Sequence, residues 1–531
     1  MNVLTQNIKQ TALILLTCVS PFAGMTQKKD KPNVVVFITD DQHRFESNFL
    51  PEGRAENGTM RNLSPALDRL ASEGVVFTNQ HVVAGICTPS RFSILTGIYP
   101  SRATNAKFLK EQKACSQVNP HFNLKVTNKD FTLAKLFKGA GYFTGGVGKN
   151  HVIRPDEIGS GHRLKKGMSR EETLERLMKI QKDEIASYKA CGFDFAKNIY
   201  PGNIPGFLPR FLEFHNTDWI IQGAFDFLDE SAKKEEPFFL YCATTVSHGP
   251  SKLGQKYKGD RKATAEGFLD EEVKVMPTPK EIEERIEKLN LSDEAKDVLW
   301  LDDAVNALVT KLEKMGELDN TIIFFMTDNA VEHGKFTCYE GGTRTPSFYW
   351  GPKFFQSGKQ TDAYASNVDI LPTLADLCDI TLPKSYAIDG SSLAPILKGK
   401  SDKVHESLYL EVGATRALVK DGWKYLAFRV PVEKKNMPLK RRQKLARKDV
   451  DPYAPYTHIC DRPGGRGGES PAMRFYPNYY DSDQLYNLKD DPNELNNLAK
   501  EPAYQKKLQE LKKELKVYLN KTPGTFGELK K

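Results

Sequence analysis

The pentapeptide CTPSR, Cys87 to Arg91, sets a thiol beside a proline, a hydroxyl and a guanidinium between two apolar stretches. Pro89 suits the first turn of a helix, where a missing N–H removes no bond, and RFSILTG (Arg91 to Gly97) continues that helix until a glycine stops it. Cys87 then stands at a helix N-terminus, where free N–H groups and the macrodipole favour negative charge. Taken alone, the five residues favour the plainer reading of a buried structural thiol at a helix start. The rest of the chain decides between the two.

Reactive side chains recur directly after short apolar runs. NVVVFIT (33–39) is followed by Asp40 and Asp41, and YFTGGVG (142–148) by Lys149, Asn150 and His151. PFFLYCATTVS (237–247) leads to His248, and TIIFFMT (321–327) to Asp328 and Asn329, with Lys335 shortly after. Such runs read as strands buried on both faces of a parallel sheet, and ligand sites in open α/β sheets lie beyond the carboxyl ends of the strands. Singly, each pair has an ordinary explanation as a turn, an Asx-turn or a loop. Together they deliver carboxylates, an amide, lysines and histidines to one rim. Three carboxylates and an amide oxygen suit Ca²⁺ first and Mg²⁺ second, whereas zinc or copper would want imidazole or thiolate. Two lysines and an arginine beside such a cation would bind a tetrahedral oxyanion.

The elements that must position these groups are legible in part. SPALDRLASEG (64–74) reads as a helix with Ser64 as N-cap, Pro65 in the first turn, an apolar face of Leu67, Leu70 and Ala71, and a stop at Gly74. TLAKLFKGAG (132–141) precedes the second apolar run in the same way. Strands alternating with helices predict an α/β fold with a large doubly wound, mixed but mostly parallel sheet. After VDILPTLADLCDI (368–380), the segments ESLYLEV, RALVKDGWKYLAF and DQLYNLKDDPNELNNLA read as short antiparallel strands, turns and a terminal helix. We therefore expect a signal peptide over 1–24, a catalytic domain over 32–399 and a smaller α+β subdomain over 400–531. The run KKNMPLKRRQKLARK (434–448) reads as a solvated basic helix or loop, or as a guide for a polyanionic substrate.

A chain of 531 residues can bury a large core. Its formal charge of +8 comes from 76 basic and 68 acidic residues that are mostly interspersed, which gives no nucleic-acid footprint. The N-terminus has Lys9, an apolar run from Ala12 to Val19 and then small and polar residues, the pattern of an export signal too short to span a bilayer. Cys18 lacks the small residue that usually precedes a lipidated cysteine, which argues against a lipoprotein anchor. No other stretch is long and apolar enough for a transmembrane helix. The eight cysteines include no CxxC pair, so a zinc knuckle is not indicated. If export removes Cys18, seven remain, and Cys87 is the candidate to stay outside any pairing.

CTPSR within GICTPSRFSILTGIYPSR, preceded by FITDDQ and SPALDRLASEGVVFTN, and followed by GKNH, TTVSHGP, TDNAVEHGKFTCYEGGTRTP, DGWKYL and LYNLKDDPNELNNLA, closely resembles the type I sulfatases of the alkaline phosphatase superfamily. The resemblance runs from about residue 32 to about 500. It implies that Cys87 is oxidised after translation to formylglycine by a sulfatase-maturing enzyme that recognises the residues following it. It further implies that Asp40, Asp41, Asp328 and Asn329 hold Ca²⁺ together with modified Cys87. Arg91 and Lys149 would steady the aldehyde hydrate, and Lys149, His248 and Lys335 would contact the sulfate, with His248 as general acid and His151 as base. The chain departs from the family pattern at Asn150, where many members carry tryptophan, at Ala330, where glycine is usual, and in the short segment to Lys335. These changes keep the charged groups and bear on the shape of the pocket.

The resulting expectation is an exported, periplasmic or extracellular hydrolase that removes sulfate from a sulfated saccharide. A phosphodiesterase or phosphonate hydrolase of the same superfamily is the second reading, and a non-catalytic binder of sulfated polymers the third. The third has no need of a nucleophile with both an acid and a base. His43, Arg154, His162, Arg163, His458, Arg462 and Arg466 are candidates either for sugar or carboxylate contacts or for ordinary surface roles.

Overall fold

The four apolar runs become neighbouring strands at the middle of one sheet. The computed structural model describes residues 31–155, 164, 167–356, 358–446, 448, 450–460 and 462–530, so the export signal and Cys18 lie outside the described residues. Eight strands, β1 (Asn33–Asp40), β2 (Val75–His81), β3 (Phe143–Lys149), β4 (Phe195–Tyr200), β5 (Phe238–Ser247), β6 (Thr321–Thr327), β7 (Ser347–Trp350) and β8 (Lys359–Ser366), form a sheet in the order β8-β2-β7-β6-β1-β5-β3-β4. Every neighbouring pair is parallel except the two made by β7, which runs antiparallel to β2 and β6. Every residue of β1, β5 and β6 is buried, the condition that a continuous apolar run answers.

Helices cover both faces. The glycines of β3 make room for them: a Cβ on Gly146 would lie 2.6 Å from the Tyr188 ring of one helix (Arg170–Ala190), and one on Gly145 would collide with Phe227 of another (Thr217–Ser231). Successive residues point to opposite faces, so two adjacent glycines let a helix approach on each side. The helix Pro65–Glu73 starts where expected, but Ser64 does not cap it through its side chain. Asp302, from the helix Glu294–Lys314, instead accepts the N–H groups of Ala66 and Leu67 at 3.2 and 2.7 Å. A carboxylate reaching in from a packed helix has displaced the local cap.

Four further strands, β9 (Leu408–Val412), β10 (Thr415–Lys420), β11 (Trp423–Phe428) and β12 (Asp483–Asn487), form an antiparallel sheet in that order. The last helix, Gln505–Lys521, buries Leu508, Leu511, Leu515 and Leu519 in a cluster with Leu418, Tyr425 and Leu485. A second cluster joins this sheet to Ala84, Ile86, Cys338 and Tyr339, which flank Cys87 and Lys335 in the chain. Buried Lys424 of β11 pairs with Glu340 at 2.8 Å and Glu494 at 3.1 Å, and Glu340 also meets His81 at 3.0 Å. The small sheet thus braces two reactive segments. No described helix is long and apolar enough to cross a membrane. All seven described cysteines are free, so Cys87 is not distinguished by being unpaired.

Candidate active site

Cys87 opens the helix Cys87–Thr96, and all ten of its residues are buried. Its four hydroxyl side chains are satisfied one by one. Thr88 donates to the His151 carbonyl (3.2 Å), Ser90 accepts from Asn367 (2.9 Å), Ser93 donates to Ile98 O (2.9 Å) and Thr96 to Phe92 O (2.7 Å). Gly97 ends the helix at φ 69°, a left-handed position that favours glycine. The helix start faces the carboxyl ends of β1, β3, β5 and β6. One ligand atom from each of Asp40, Asp41, Cys87 and Asp328 lies within 4.8 Å of all the others.

Charge organises this cluster. Arg91 donates from Nε to Asp328 at 2.8 Å and from Nη1 to the Lys149 carbonyl at 3.2 Å, and its Nη2 stands 3.9 Å from Asp40. Lys149 Nζ bonds Asp40 and Lys335 Nζ bonds Asp41. His248 Nε2 is 3.5 Å from Asp41, and its Nδ1 lies 2.9 Å from the Gly249 carbonyl. Asn329 donates to Asp41 at 2.8 Å, while its buried Oδ1 makes no hydrogen bond among the described residues. Asp41 (φ 59°) and His151 (φ 63°) hold left-handed backbones rare outside glycine, which concentrate where geometry serves function.

Protonation follows from these contacts. Burial opposes ionisation of Asp41, but the charges of Lys335, His248 and Lys149 hold it well below the usual carboxylate range. Burial, with the charge of Asp40, pushes Asp328 up to about 6. Burial, joined by Lys149, Lys125 and Arg91, takes His151 well below the ordinary imidazole range, and its Nδ1 makes no hydrogen bond among the described residues. Burial pulls His248 to about 4 against the opposing charge of Asp41. Burial, with the charge of Asp328, pushes the Cys87 thiol far above its usual range, so the encoded residue is not a thiolate.

The donor set fits a hard cation. It offers three carboxylates and an unengaged amide oxygen, with no imidazole among them.

The family model described as Sulfatase matches residues 32–380. The chain belongs to the sulfatase family. Its members hydrolyse sulfuric esters, and a metal is general among them. This sulfatase is 26% identical over 401 residues to N-acetylgalactosamine-6-sulfatase of Mus musculus, covering 70% of this chain and 67% of the mouse protein. It is 25% identical over 574 residues to N-acetylgalactosamine-6-O-sulfatase of Bacteroides thetaiotaomicron, covering 92% and 94%. Among solved structures, a sulfatase of Bacteroides fragilis superposes with a TM-score of 0.61 at 18% identity, covering 96% of this chain and 100% of that one. A structure solved with its substrate D-glucosamine-2-N,6-O-disulfate gives 0.56 at 20% identity, covering 92% and 98%.

The structure brings Cys87, Arg91, Lys149, His248, Lys335, Asp40, Asp41, Asp328 and Asn329 of this sulfatase to one rim, with His151 beside Lys149. It sorts the remaining candidates. Asn150 is not a pocket residue: it is buried, donates to Glu184 and to Ile153 O (2.8 Å), and accepts from the N–H groups of Val152 and Ile153. Arg154 pairs with the same Glu184 at 3.1 Å. His458 is a core residue, stacked on Tyr479 with centroids 4.1 Å apart and bonded to the Tyr479 carbonyl at 2.9 Å. His43 stacks on Phe45 (4.7 Å) and faces Glu332 at 3.7 Å. Arg462 is half-buried. Arg466 lies over the Phe122 ring at 5.0 Å. His162 and Arg163 lie outside the described residues.

Sequence reasoning missed the aromatic wall. Phe122 and Phe207 stand 5.8 and 6.2 Å from the His151 ring, and Phe122 is 6.0 Å from Phe336, the neighbour of Lys335. It also missed the role of the glycines in the Lys335 loop. A Cβ on Gly85 would lie 2.5 Å from Thr337 O and 3.0 Å from Gly342 O, and Phe336 N–H donates to Gly85 O at 2.6 Å. Backbone packed on backbone seats the lysine opposite the cysteine. Gly85, Gly334 and the pair Gly341 and Gly342 in EGGTRTP are its local signs.

Proposed function

We propose that this sulfatase hydrolyses a sulfate ester of a carbohydrate through the formylglycine form of Cys87, with Ca²⁺ as cofactor. The observation that carries the reading is the meeting of Cys87, at a helix N-terminus, with three carboxylates, two lysines and two histidines beyond the strand ends. The sugar-sulfatase names of its relatives and the disulfated glucosamine of one structural neighbour support the substrate class.

Asp40, Asp41, Asp328 and Asn329, with modified Cys87, would hold the cation, which lowers the cost of negative charge on neighbouring oxygens. Arg91 and Lys149 steady the hydrated aldehyde, and Lys149, His248 and Lys335 bind the sulfuryl oxygens. Formylglycine at Cys87 would supply a geminal diol, one hydroxyl of which, its proton released to water under the charge of the cation, Arg91 and Lys149, would attack sulfur as the S–O bond to the sugar breaks, while His248 gives its proton to the departing oxygen and regains one from water. A bound sulfate ester adds negative charge beside His248 and so favours its protonated form. His151, kept neutral by burial and its cationic neighbours, takes the proton of the second hydroxyl. The carbonyl then reforms as sulfate leaves, and water restores the hydrate. Residues 1–24 serve export in this reading, and the catalytic domain ends near residue 399.

Peptide mass spectrometry of active protein, with turnover of a panel of sulfated sugars, tests the reading. Conversion of Cys87 and desulfation of at least one sugar are expected, with activity lost on chelation and regained with Ca²⁺. Full activity with an unmodified thiol, restoration by zinc alone, or far faster turnover of phosphodiesters would overturn it.

A further inference from the structure

The helix Leu439–Leu445 reads LKRRQKL and buries none of its residues. Lys434 and Lys435 precede it and Lys448 follows. Among the described residues, no carboxylate pairs with Lys435, Lys440, Arg441, Lys444 or Lys448. Glu433, the one acidic residue of 432–448, is engaged by Ser116 at 3.0 Å. Elsewhere on this chain exposed cations commonly meet an acid three or four residues away, as Lys233 meets Glu230 and Lys403 meets Glu406, both at 2.7 Å. A run this rich in cations, with Glu433 and Asp449 only at its two ends, repels itself and is complementary to a chain of negative charges.

The run is built into a surface. Arg442 pins the helix by donating to the Tyr453 carbonyl (3.3 Å) and to Ala454 O, with its guanidinium 5.9 Å from the Tyr456 ring. Gln443 donates to the Tyr453 hydroxyl at 3.2 Å and so holds a tyrosine that is 65% exposed. Beside it lies a cavity of about 850 Å³ whose walls include Lys435, Arg442, Tyr453, Tyr456 and Tyr480. Its two acids, Asp483 and Glu528, both pair with Arg429, at 2.9 and 2.6 Å, and Lys512 supplies a second cation to Asp483 at 2.5 Å. Flat rings with a polar edge suit the apolar faces of sugars, and unpaired cations suit their sulfates.

We propose that this surface, Lys435, Lys440, Arg441 and Lys444 with the Tyr453 platform, docks a sulfated polysaccharide chain at a place that shares no residue with the catalytic rim. The choice of a sugar polymer rests on the sulfatase reading above, and the tyrosine-lined cavity favours it over other polyanions. A docked polymer raises the concentration of its own ester groups at the rim, so docking acts on long substrates and leaves small ones unaffected.

Binding is measured by titrating heparin into Cys87→Ala protein, which holds polymer without turning it over, at several salt concentrations. The triple variant Lys440→Gln/Arg441→Gln/Lys444→Gln is expected to bind at least tenfold more weakly. Its slope of log affinity against log salt should fall by about 2, on the order of 0.7 per lost contact. Tyr453→Ala should weaken heparin more than double-stranded DNA. With Cys87 intact, both variants should turn over a monosaccharide sulfate at the parent rate. Unchanged heparin affinity and slope in the triple variant would overturn the proposal. So would DNA binding as tight as heparin binding with no effect of Tyr453→Ala, which marks a charged surface without sugar recognition. Failure of the wild-type protein to cleave any sulfate ester would sink the sulfatase reading instead, and the binding measured on Cys87→Ala would be untouched by it.

Discussion

A sugar oxygen leaves poorly as an alkoxide, whereas nitrophenolate leaves readily without a proton, and this difference isolates His248. The Gly249 carbonyl 2.9 Å from Nδ1 can only accept, so Nδ1 carries a hydrogen there, and Nε2, 3.5 Å from Asp41, is the nitrogen that can deliver a proton to the rim. A positioned general acid contributes roughly 10²–10⁴ in rate, which is about 2.7–5.4 kcal/mol at 1.36 kcal/mol per factor of ten. His248→Ala should therefore lower kcat/KM for a sugar sulfate by that factor and for nitrophenyl sulfate by less than about tenfold. Lys335→Ala provides the control, because it also removes a partner of Asp41 but takes charge from the sulfuryl group, so both substrates should suffer alike. Parallel kinetics on the two substrates, with metal content and melting measured for each variant, give the comparison. Equal losses on both substrates in a folded, metal-loaded His248→Ala protein would refute the acid role.

Two further outcomes concern the frame that holds the site. Gly85→Ala would place a methyl 2.5 Å from Thr337 O, and neither backbone can yield without moving Cys87 or Lys335. We expect a loss of about 1–3 kcal/mol in denaturant unfolding and a larger proportional loss of activity, and wild-type values for both would remove the close-packing account. His405 bonds Asp369 at 2.8 Å, and Asp369 also accepts the N–H groups of Ser366 and Ser391 at 2.7 and 2.8 Å. Burial lowers the imidazole, but the charge and hydrogen bond of Asp369 outweigh it and leave His405 above its ordinary 6.5. A raised folded value stabilises below pH 6.5 and loses that contribution as pH rises through it. His405→Gln should thus cost about 1.5–3 kcal/mol at pH 6 and less at pH 9, and a pH-independent difference would contradict the ion pair.

The central strands were legible because burial on both faces demands unbroken apolar runs, which β1, β3, β5 and β6 supply. The strands that escaped notice lie to the sides or are short. β8, KQTDAYAS, at the edge, alternates half-buried and exposed residues over its first half, and β7 is only SFYW. β2, VVFTNQH, leaves Thr78 and Asn79 half-buried, and their side chains bond the backbone of β8. Such segments become strands through the neighbours that pair with them, and local composition carries little of that information. The misplaced cap of the helix at residue 65 has the same cause, since Asp302 lies 236 residues away from the N–H it receives.

The charged site was legible because each strand ends in its own reactive residues, a short-range pattern that an α/β sheet converts into one rim. Asn150 shows where that pattern stops being informative. Its place between Lys149 and His151 suggested a change of pocket shape, yet its amide clamps the turn at residues 150–153 and reaches Glu184 on a helix 34 residues on. That clamp holds the segment in which His151 takes its left-handed backbone, so Asn150 acts on the geometry of the residue proposed above as the base. The rings around His151 come instead from Phe122 and Phe207, with Phe336 against Phe122, and Arg466 covers Phe122 from the C-terminal part of the chain. Four segments far apart in sequence meet there, and no motif links them. In the reaction proposed above, a change of one ring in that wall would alter the space beside the imidazole and leave the charged groups of the rim in place.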